Sequence, residues 1–427
     1  MQAFEKYYQK LWDERLKILK KTGYLNETQI TELRKLTLDP ALDEAMIENF
    51  ITEYHLPEGL ALNYVVDGQE YIVPMVTEEP SVIAAASNGA RLVKAGGGFH
   101  TLKAQRLMLG QIIFENVSQI NKLVQLIKEH QTEFLTLADQ AHPSILKHGG
   151  GARWLRTRVL APDMLSLDLA VDVQEAMGAN MLNTMLEAVA NELRLKYQQD
   201  ILMSIMTNYA TESLVSVEAQ IPVKVLTKKD IAGIEIARKI TQASRLAQLD
   251  PYRATTNNKG IMNGVDAVTI ASGNDWRAIE AGVHAYAARN GQYQGLSQWH
   301  LEKQMLIGRL TLPMPVGAVG GSIKIVPLVK INHHLLKLKN ATQLATVITS
   351  VGLGQNLAAL YALVTEGIQR GHMRLQLKSL AVTVGARPCE IDQLVTLLEQ
   401  NHARDSQTAT ILLQQLRESK NDNTSFK

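Results

Sequence analysis

At 427 residues, with 44 basic and 42 acidic side chains, the chain is long enough for two or three domains and close to neutral at a formal +2. Balanced, interspersed charge gives no bulk attraction for nucleic acid or a membrane surface, and 46% apolar residues suit a globular protein with a sizeable core. The single cysteine, Cys389, excludes a disulfide framework and a cysteine-based metal site.

The first twenty residues are charged and amphipathic, with no apolar stretch of the secretory kind, and no uninterrupted apolar run reaches spanning length. The expectation is a cytoplasmic protein. Residues 6–54 read as helices: Trp12, Leu16 and Leu19 recur at helical spacing, Asn26 can cap a second helix, and a third carries Met46, Ile47, Phe50 and Ile51. Strand-like alternation over 71–76 then leads into Thr77-Glu78-Glu79-Pro80-Ser81 and a small-residue run, 82–86, that can pack a helix tightly. A carboxylate at that junction has two physical fates. Burial raises its pKa and makes it a proton donor near neutrality, whereas a helix N-terminus lowers it.

Ala95-Gly96-Gly97-Gly98-Phe99 marks a turn and a boundary. Between 107 and 213, strands expected over 111–114, 154–160, 166–173 and 201–206 alternate with helices over 118–131 and 181–196, an α+β order of the ferredoxin-like kind. No Gly-x-Gly-x-x-Gly follows any of these strands, so a Rossmann fold finds no support. In Asp172-Val173-Gln174-Glu175-Ala176-Met177-Gly178-Ala179-Asn180, Gly178 lets the backbone approach an anion, and the helix start offers N–H groups to a pyrophosphate. As a bare pattern, an ordinary glycine-bearing helix entry fits it too. His142, Ser144, Lys147 and His148 form a polar, basic cluster upstream that is either a solvated turn or a phosphate contact.

Thr227-Lys228-Lys229-Asp230 reads as a capping box opening a helix to about Leu249. The glycine-rich segment 314–321 serves close backbone packing or a dinucleotide contact. A helix over 351–366 precedes Glu366-Gly367-Ile368-Gln369-Arg370-Gly371-His372-Met373, where a histidine, able to carry protons near neutral pH, sits beside glycines that let the segment beyond swing as a lid. Helices over 390–400 and 406–418 make that segment a small C-terminal domain.

The organising stretch is 250–288. It sets Arg253, Asn258, Lys259, Asn263 and Asp275 around two glycine-bearing turns, Lys259-Gly260 and Ser272-Gly273, with Asn274 able to cap a helix opening at Asp275. One ammonium, one guanidinium and one carboxylate are placed where backbone can approach a ligand; a satisfied ion pair in a polar loop explains the spacing equally.

This stretch resembles the lysine–aspartate core of hydroxymethylglutaryl-coenzyme A reductases, in particular their soluble bacterial class II, and the likeness recurs in order along most of the chain. Glu79-Pro80-Ser81 with its alanine-rich run is similar to that family's glutamate motif, Gly371-His372-Met373 to its histidine motif, and Glu175-Ala176-Met177-Gly178 to its dinucleotide motif, with Glu175 where aspartate is usual. Glu48-Asn49-Phe50-Ile51-Thr52 stands in place of the family's Glu-Asn-Val-Ile-Gly.

The resemblance implies a two-step, four-electron reduction of a thioester to mevalonate and coenzyme A, with Glu79, Lys259, Asp275 and His372 catalytic. Ser81, Asn208, Arg253, Asn263 and Gln355-Asn356 would hold the substrate, and His142, Ser144, Glu175, Met177, Gly178, Ala179 and Asn180 the cofactor. NADPH is favoured over NADH, because His142 stands where NADH-using relatives carry an acid. No metal is implied. Lys6, Lys10 and Arg15 are candidates for the coenzyme A phosphates. The implied architecture is a large mixed α/β domain in two parts (1–106 and 214–371), an inserted ferredoxin-like dinucleotide-binding domain (107–213) and a helical lid (372–427). A homodimer with the active site at the subunit interface is expected, as in relatives. Two other readings remain: the same enzyme run oxidatively with NAD to degrade mevalonate, and a non-catalytic coenzyme A-binding protein of the same fold.

Overall fold

Three short helices make the first of two units, residues 1–57. They are α1 (Trp12–Lys21), α2 (Glu27–Leu36) and α3 (Pro40–Met46). Asn26 caps α2 as expected: its side-chain oxygen accepts from Gln29 N at 2.9 Å while Gln29 Oε1 accepts from Asn26 N at 2.9 Å. α3 stops at Met46 instead of continuing to Ile51, and Phe50 is buried from the irregular segment beyond it. Arg15 is 3% exposed, pairs with Glu44 at 3.1 Å and donates to Phe50 O, so it is a core residue of this unit and not a phosphate ligand. The structure, a computed structural model, describes residues 7–36, 40–365 and 367–422, with the side chains of 8, 36, 40–42, 322, 324, 368–375 and 419–422 outside the description. Lys6 therefore lies outside it as well.

The second unit, 58–427, is built on two sheets. The larger begins with β1 (Glu58–Val66) and β2 (Gln69–Val76), an antiparallel hairpin turning on Asp67 and Gly68, both at positive φ. After α4 (Val82–Lys94), Gly97 and Gly98 turn the chain at φ near +105° into β3 (Phe99–Ala104). The chain then leaves this sheet for more than a hundred residues. It forms β4 (Met108–Phe114), α5 (Ile120–Glu129), α6 (Gln131–Ala141), β5 (Gly151–Ala161), β6 (Met164–Asp172), α7 (Ala179–Leu195) and β7 (Ile201–Met206). These strands pair in the order β5-β6-β4-β7, every neighbour antiparallel, which is the ferredoxin-like order. One helix was expected over 118–131; the structure breaks it at His130, whose ring contacts Phe134 and Tyr197. The insert has its own core, led by Ile112, Phe114, Leu167, Leu169 and Leu186.

β8 (Leu214–Pro222) returns to the larger sheet, followed by α8 (Gly233–Leu249), α9 (Pro251–Ala271), α10 (Trp276–Ala287), β9 (Ser297–Glu302), β10 (Met305–Pro313), α11 (Pro327–Leu336) and α12 (Ala341–Thr365). The sheet order is β2-β1-β3-β8-β10-β9. α8 starts at Gly233, not at Thr227: Lys229 takes φ +49°, and the Thr227 hydroxyl instead accepts from Gly233 N at 3.2 Å.

α12 packs against α4 and α9. The approach is close enough that a Cβ on Gly89 would lie 2.0 Å from the Gly354 carbonyl oxygen. By length and composition α12 could cross a bilayer, which a search for uninterrupted apolar runs passes over, but 78% of its apolar window is buried inside the fold. α13 (Ile368–Thr383), α14 (Pro388–Gln400) and α15 (Ser406–Asp422) close the chain around Ala381, Leu394, Leu398 and Leu413.

Candidate active site

α9 carries the site. Asp250 accepts from Tyr252 N (3.1 Å) and Arg253 N (3.2 Å), and Pro251 occupies the first turn, so the helix starts there for two independent reasons. It then runs unbroken for 21 residues. The turn expected at Lys259-Gly260 is not formed; those residues lie mid-helix, held by burial of Asn257, Ile261, Gly264, Val265 and Val268. Helical spacing puts Arg253, Thr256, Lys259, Gly260 and Asn263 on one face, and that face lines a cavity of about 490 Å³.

Across the cavity, Glu79 and Ser81 lie at the entry of α4. Lys259 Nζ is 3.1 Å from Glu79 Oε2, and Ser81 Oγ donates to Glu79 Oε1 at 3.1 Å, so both carboxylate oxygens are oriented. The lysine side chain is 63% exposed and the glutamate 30%. An ion pair this open contributes at most about 1 kcal/mol to folding, so its placement is not explained by stability. Glu78 is exposed and does not line the cavity.

α12 supplies the opposite wall through Gln355, Ala358, Ala362 and Leu363. Gln355 Oε1 is buried and has no hydrogen-bond partner among the described residues. Its neighbour Asn356, expected on the substrate, is 1% exposed and saturated. It accepts from Ser297 Oγ (2.9 Å) and Trp299 Nε1 (2.7 Å), and donates to Asn257 Oδ1 (2.9 Å). One residue is 100° of helix rotation, and here that separates ligand face from core. Thr256 and Asn88 also line the cavity and were not anticipated; their spacing from Arg253 and Ser81 on the two helices was the available signal. Gly367, at φ +77°, stands at the cavity edge where α13 begins. α13 contains His372, whose side chain lies outside the described residues.

Asp275 is elsewhere. It caps α10, accepting from Arg277 N (3.1 Å) and Ala278 N (3.2 Å), which moves the expected cap from Asn274 by one residue. From Lys259 to the end of α9 at Ala271 is about 18 Å of rigid helix, so the two side chains do not meet within one chain. Around Asp275 a second cluster forms. Asn274 exchanges two hydrogen bonds with Gly317, and a Cβ on Gly317 would lie 2.6 Å from Met177 N, so the glycine in 314–321 serves close packing. Asn208 belongs here too, its carbonyl against Gly282 of α10.

Met177 leads into Gly178, which caps α7 at φ +89° with its α-carbon against Val173, a cradle that any Cβ would fill. Ala179 and Asn180 form the first turn beyond it. Glu175 points away: its carboxylate accepts from Ala341 N at 2.6 Å, at the start of α12. The His142 ring contacts Ser144 Oγ at 3.2 Å, and the turn that follows packs on this loop, Gly150 against Asp172 and Gln174. Within α9's packing, Asp266 is half-buried against Glu280 of α10 and its carboxyl is pushed up to about 9, by burial first and then by Glu280; His284 holds Glu280 down at 2.6 Å.

Fold and site thus define an α+β protein with a ferredoxin-like module spliced into a six-stranded sheet and a lysine–glutamate pair opening on a long cavity. The profile of the family described as hydroxymethylglutaryl-coenzyme A reductase matches residues 11–377. The chain belongs to that family. It is 39% identical over 415 residues to the 3-hydroxy-3-methylglutaryl-coenzyme A reductase of Archaeoglobus fulgidus, covering 96% of this chain and 94% of that one. A solved class II reductase from Streptococcus pneumoniae, bound to NADPH in open conformations, is 48% identical with a TM-score of 0.75, over 96% of this chain and 100% of that one. A second structure from that organism is 46% identical at the same TM-score.

Proposed function

We propose that the chain reduces (S)-3-hydroxy-3-methylglutaryl-coenzyme A to (R)-mevalonate and free coenzyme A with two NADPH, in the cytoplasm, as a homodimer whose active site is shared between subunits. The observation that carries this is the split just described. Lys259 and Glu79 face a cavity of about 490 Å³, while Asp275 and the dinucleotide loop lie together past the far end of the same rigid helix. A two-fold partner completes each half with the other.

When bound, the dinucleotide would supply hydride to the thioester carbonyl and to the aldehyde that follows. Gly178 and the first turn of α7 receive its pyrophosphate, and His142 with Lys147 and His148 suits a 2′-phosphate. At each reduction negative charge grows on the substrate oxygen, and the Lys259 ammonium meets it; one preorganised donor of this kind contributes ~10²–10³ in rate. Asp275 of the partner subunit keeps that lysine charged and aimed. His372 protonates the departing thiolate, which would otherwise re-add to the aldehyde, and Glu79, already hydrogen-bonded to Lys259, delivers the proton that makes the final alcohol. Arg253 and Asn263 hold the carboxylate end, with Ser81 and Gln355 on the hydroxymethyl end. The insert (107–213) is then the dinucleotide module and the last helices (372–427) a lid hinged at Gly367.

Subunit mixing tests the shared site. Lys259→Ala and Asp275→Ala are each expected to be nearly inactive alone; unfolded and refolded together they should regain about a quarter of wild-type turnover, since half of the dimers are mixed and each has one intact site. Mixed dimers that form and stay inactive would overturn the reading.

A further inference from the structure

The insert joins the larger sheet through two strands of backbone that run side by side. Gln105 N donates to Leu214 O (2.9 Å), Leu107 N to Glu212 O (3.0 Å), and Ser213 Oγ to Leu107 O (2.8 Å). Between the first two bonds stands Arg106. Its Nε and Nη2 both donate to Gln174 O (3.2 and 2.8 Å), Nη2 also to Ala176 O (3.1 Å), and Nη1 to Val316 O (2.8 Å). A half-buried cation is costly, and its partial desolvation pulls its pKa below the ordinary arginine value, against the partial support of Glu175 and Asp172. Its hydrogen bonds nonetheless go to carbonyls, in the fixed fork that only a guanidinium offers.

Those carbonyls are not arbitrary. Gln174 and Ala176 belong to the loop that ends at Gly178, and Val316 precedes Gly317, which is bonded to Asn274 beside Asp275. The loop is conformationally expensive: Gln174 at φ +54° and Gly178 at φ +89° both adopt the left-handed region, and the non-glycine residue holds it only if its surroundings enforce it. Asp172 Oδ1 supplies one constraint by accepting from Gln174 N and Nε2 (3.1 and 2.9 Å). Arg106 supplies the other from the outside.

We propose that Arg106 is the positioning residue of the dinucleotide loop, fixing the start of α7 against the segment bonded to Asn274, Asp275's neighbour, and so setting where hydride is presented. It touches no reacting atom. The proposal rests on the reading of this loop as the dinucleotide site.

The test measures NADPH affinity by fluorescence titration, together with the KM for each substrate, in four proteins: wild type, Arg106→Lys, Arg106→Ala and Gly178→Val. Lysine keeps the charge but loses the fork, so Arg106→Lys is expected to weaken NADPH about tenfold to a hundredfold, the worth of one or two hydrogen bonds to a charged group, and to leave the KM for the thioester within about twofold. In Arg106→Ala, added methylguanidinium should restore NADPH affinity where ethylammonium does not. Weakening of both substrates alike, or a lowered melting midpoint with NADPH affinity unchanged, would overturn the positioning role. Gly178→Val separates the two levels. If it leaves NADPH binding intact, the dinucleotide reading itself falls; if it abolishes binding while Arg106→Lys does not weaken it, the positioning role alone falls.

Discussion

Gln355 and Asn356 are consecutive on α12, and replacing each by alanine should produce opposite phenotypes. Asn356→Ala strips partners from three buried groups: the Trp299 indole N–H, the Ser297 hydroxyl and the Asn257 carbonyl. Leaving a buried polar group unsatisfied costs about 1–3 kcal/mol. Ser297 Oγ already accepts from Asn257 Nδ2 at 3.5 Å, a contact that offers its own O–H no acceptor, so all three groups bear the loss. The sum is at least about 3 kcal/mol, a large share of the roughly 5–15 kcal/mol that holds a typical fold. In urea, at ~3 kcal/mol per molar, the midpoint should fall by at least about 1 M. Turnover of the protein that remains folded should stay near normal. Gln355→Ala removes an oxygen with no partner, so stability should change by less than about 1 kcal/mol while KM for the thioester rises. Equilibrium unfolding and steady-state kinetics on both variants decide the matter. An Asn356→Ala protein that unfolds at the wild-type midpoint with a raised KM would refute the argument, and return Asn356 to the substrate.

Two further predictions concern glycines and protons. Gly89→Ala drives a methyl to 2.0 Å from the Gly354 oxygen and must part α4 from α12, costing about 1–3 kcal/mol, whereas a Cβ on Gly260 meets nothing within 4 Å, so Gly260→Ala should stabilise by up to about 1 kcal/mol as in any helix interior. Differential scanning calorimetry reads both; a lowered midpoint for Gly260→Ala would mean that the residue is not helical. Asp266, raised to about 9, holds in the folded chain a proton that the unfolded chain releases above its ordinary value near ~4. Its contribution is therefore complete below that value and drains away as pH rises through about 9. The melting midpoint of the wild type should decline across this window, and Asp266→Asn should flatten the decline; equal slopes in the two proteins would contradict it.

What could be read from residues alone followed the physics that each element obeys. The ferredoxin-like order was legible because the inner strands of the insert, β4 and β6, carry apolar runs and its helices apolar residues at periodic spacing. The break at His130 was not, since no glycine or proline marks it and its ring packs on Phe134 one turn on and on Tyr197, remote in the chain. Lys259-Gly260 reads locally as a turn because asparagine, lysine and glycine are poor company in a helix; burial of the rest of α9 overrides that preference.

The site shows the same limit at a larger scale. Arg253, Lys259 and Asn263 fall together because they share one face of α9, and Glu79 and Ser81 meet them from the entry of α4. Asn356 failed for want of one bit of information, the rotation of α12, which is set by Trp299 and Asn257 and not by any residue near it. Asp275 lies beyond even that. Within one chain it lies past the end of α9, with about 18 Å of helix between Lys259 and Ala271, so its role depends on a surface that a single copy does not contain. The spacing along α9 turns from a puzzle into a constraint: a helix this long and this buried cannot bend the two ends together, and either a second subunit brings them into register or the carboxylate has no part in the chemistry.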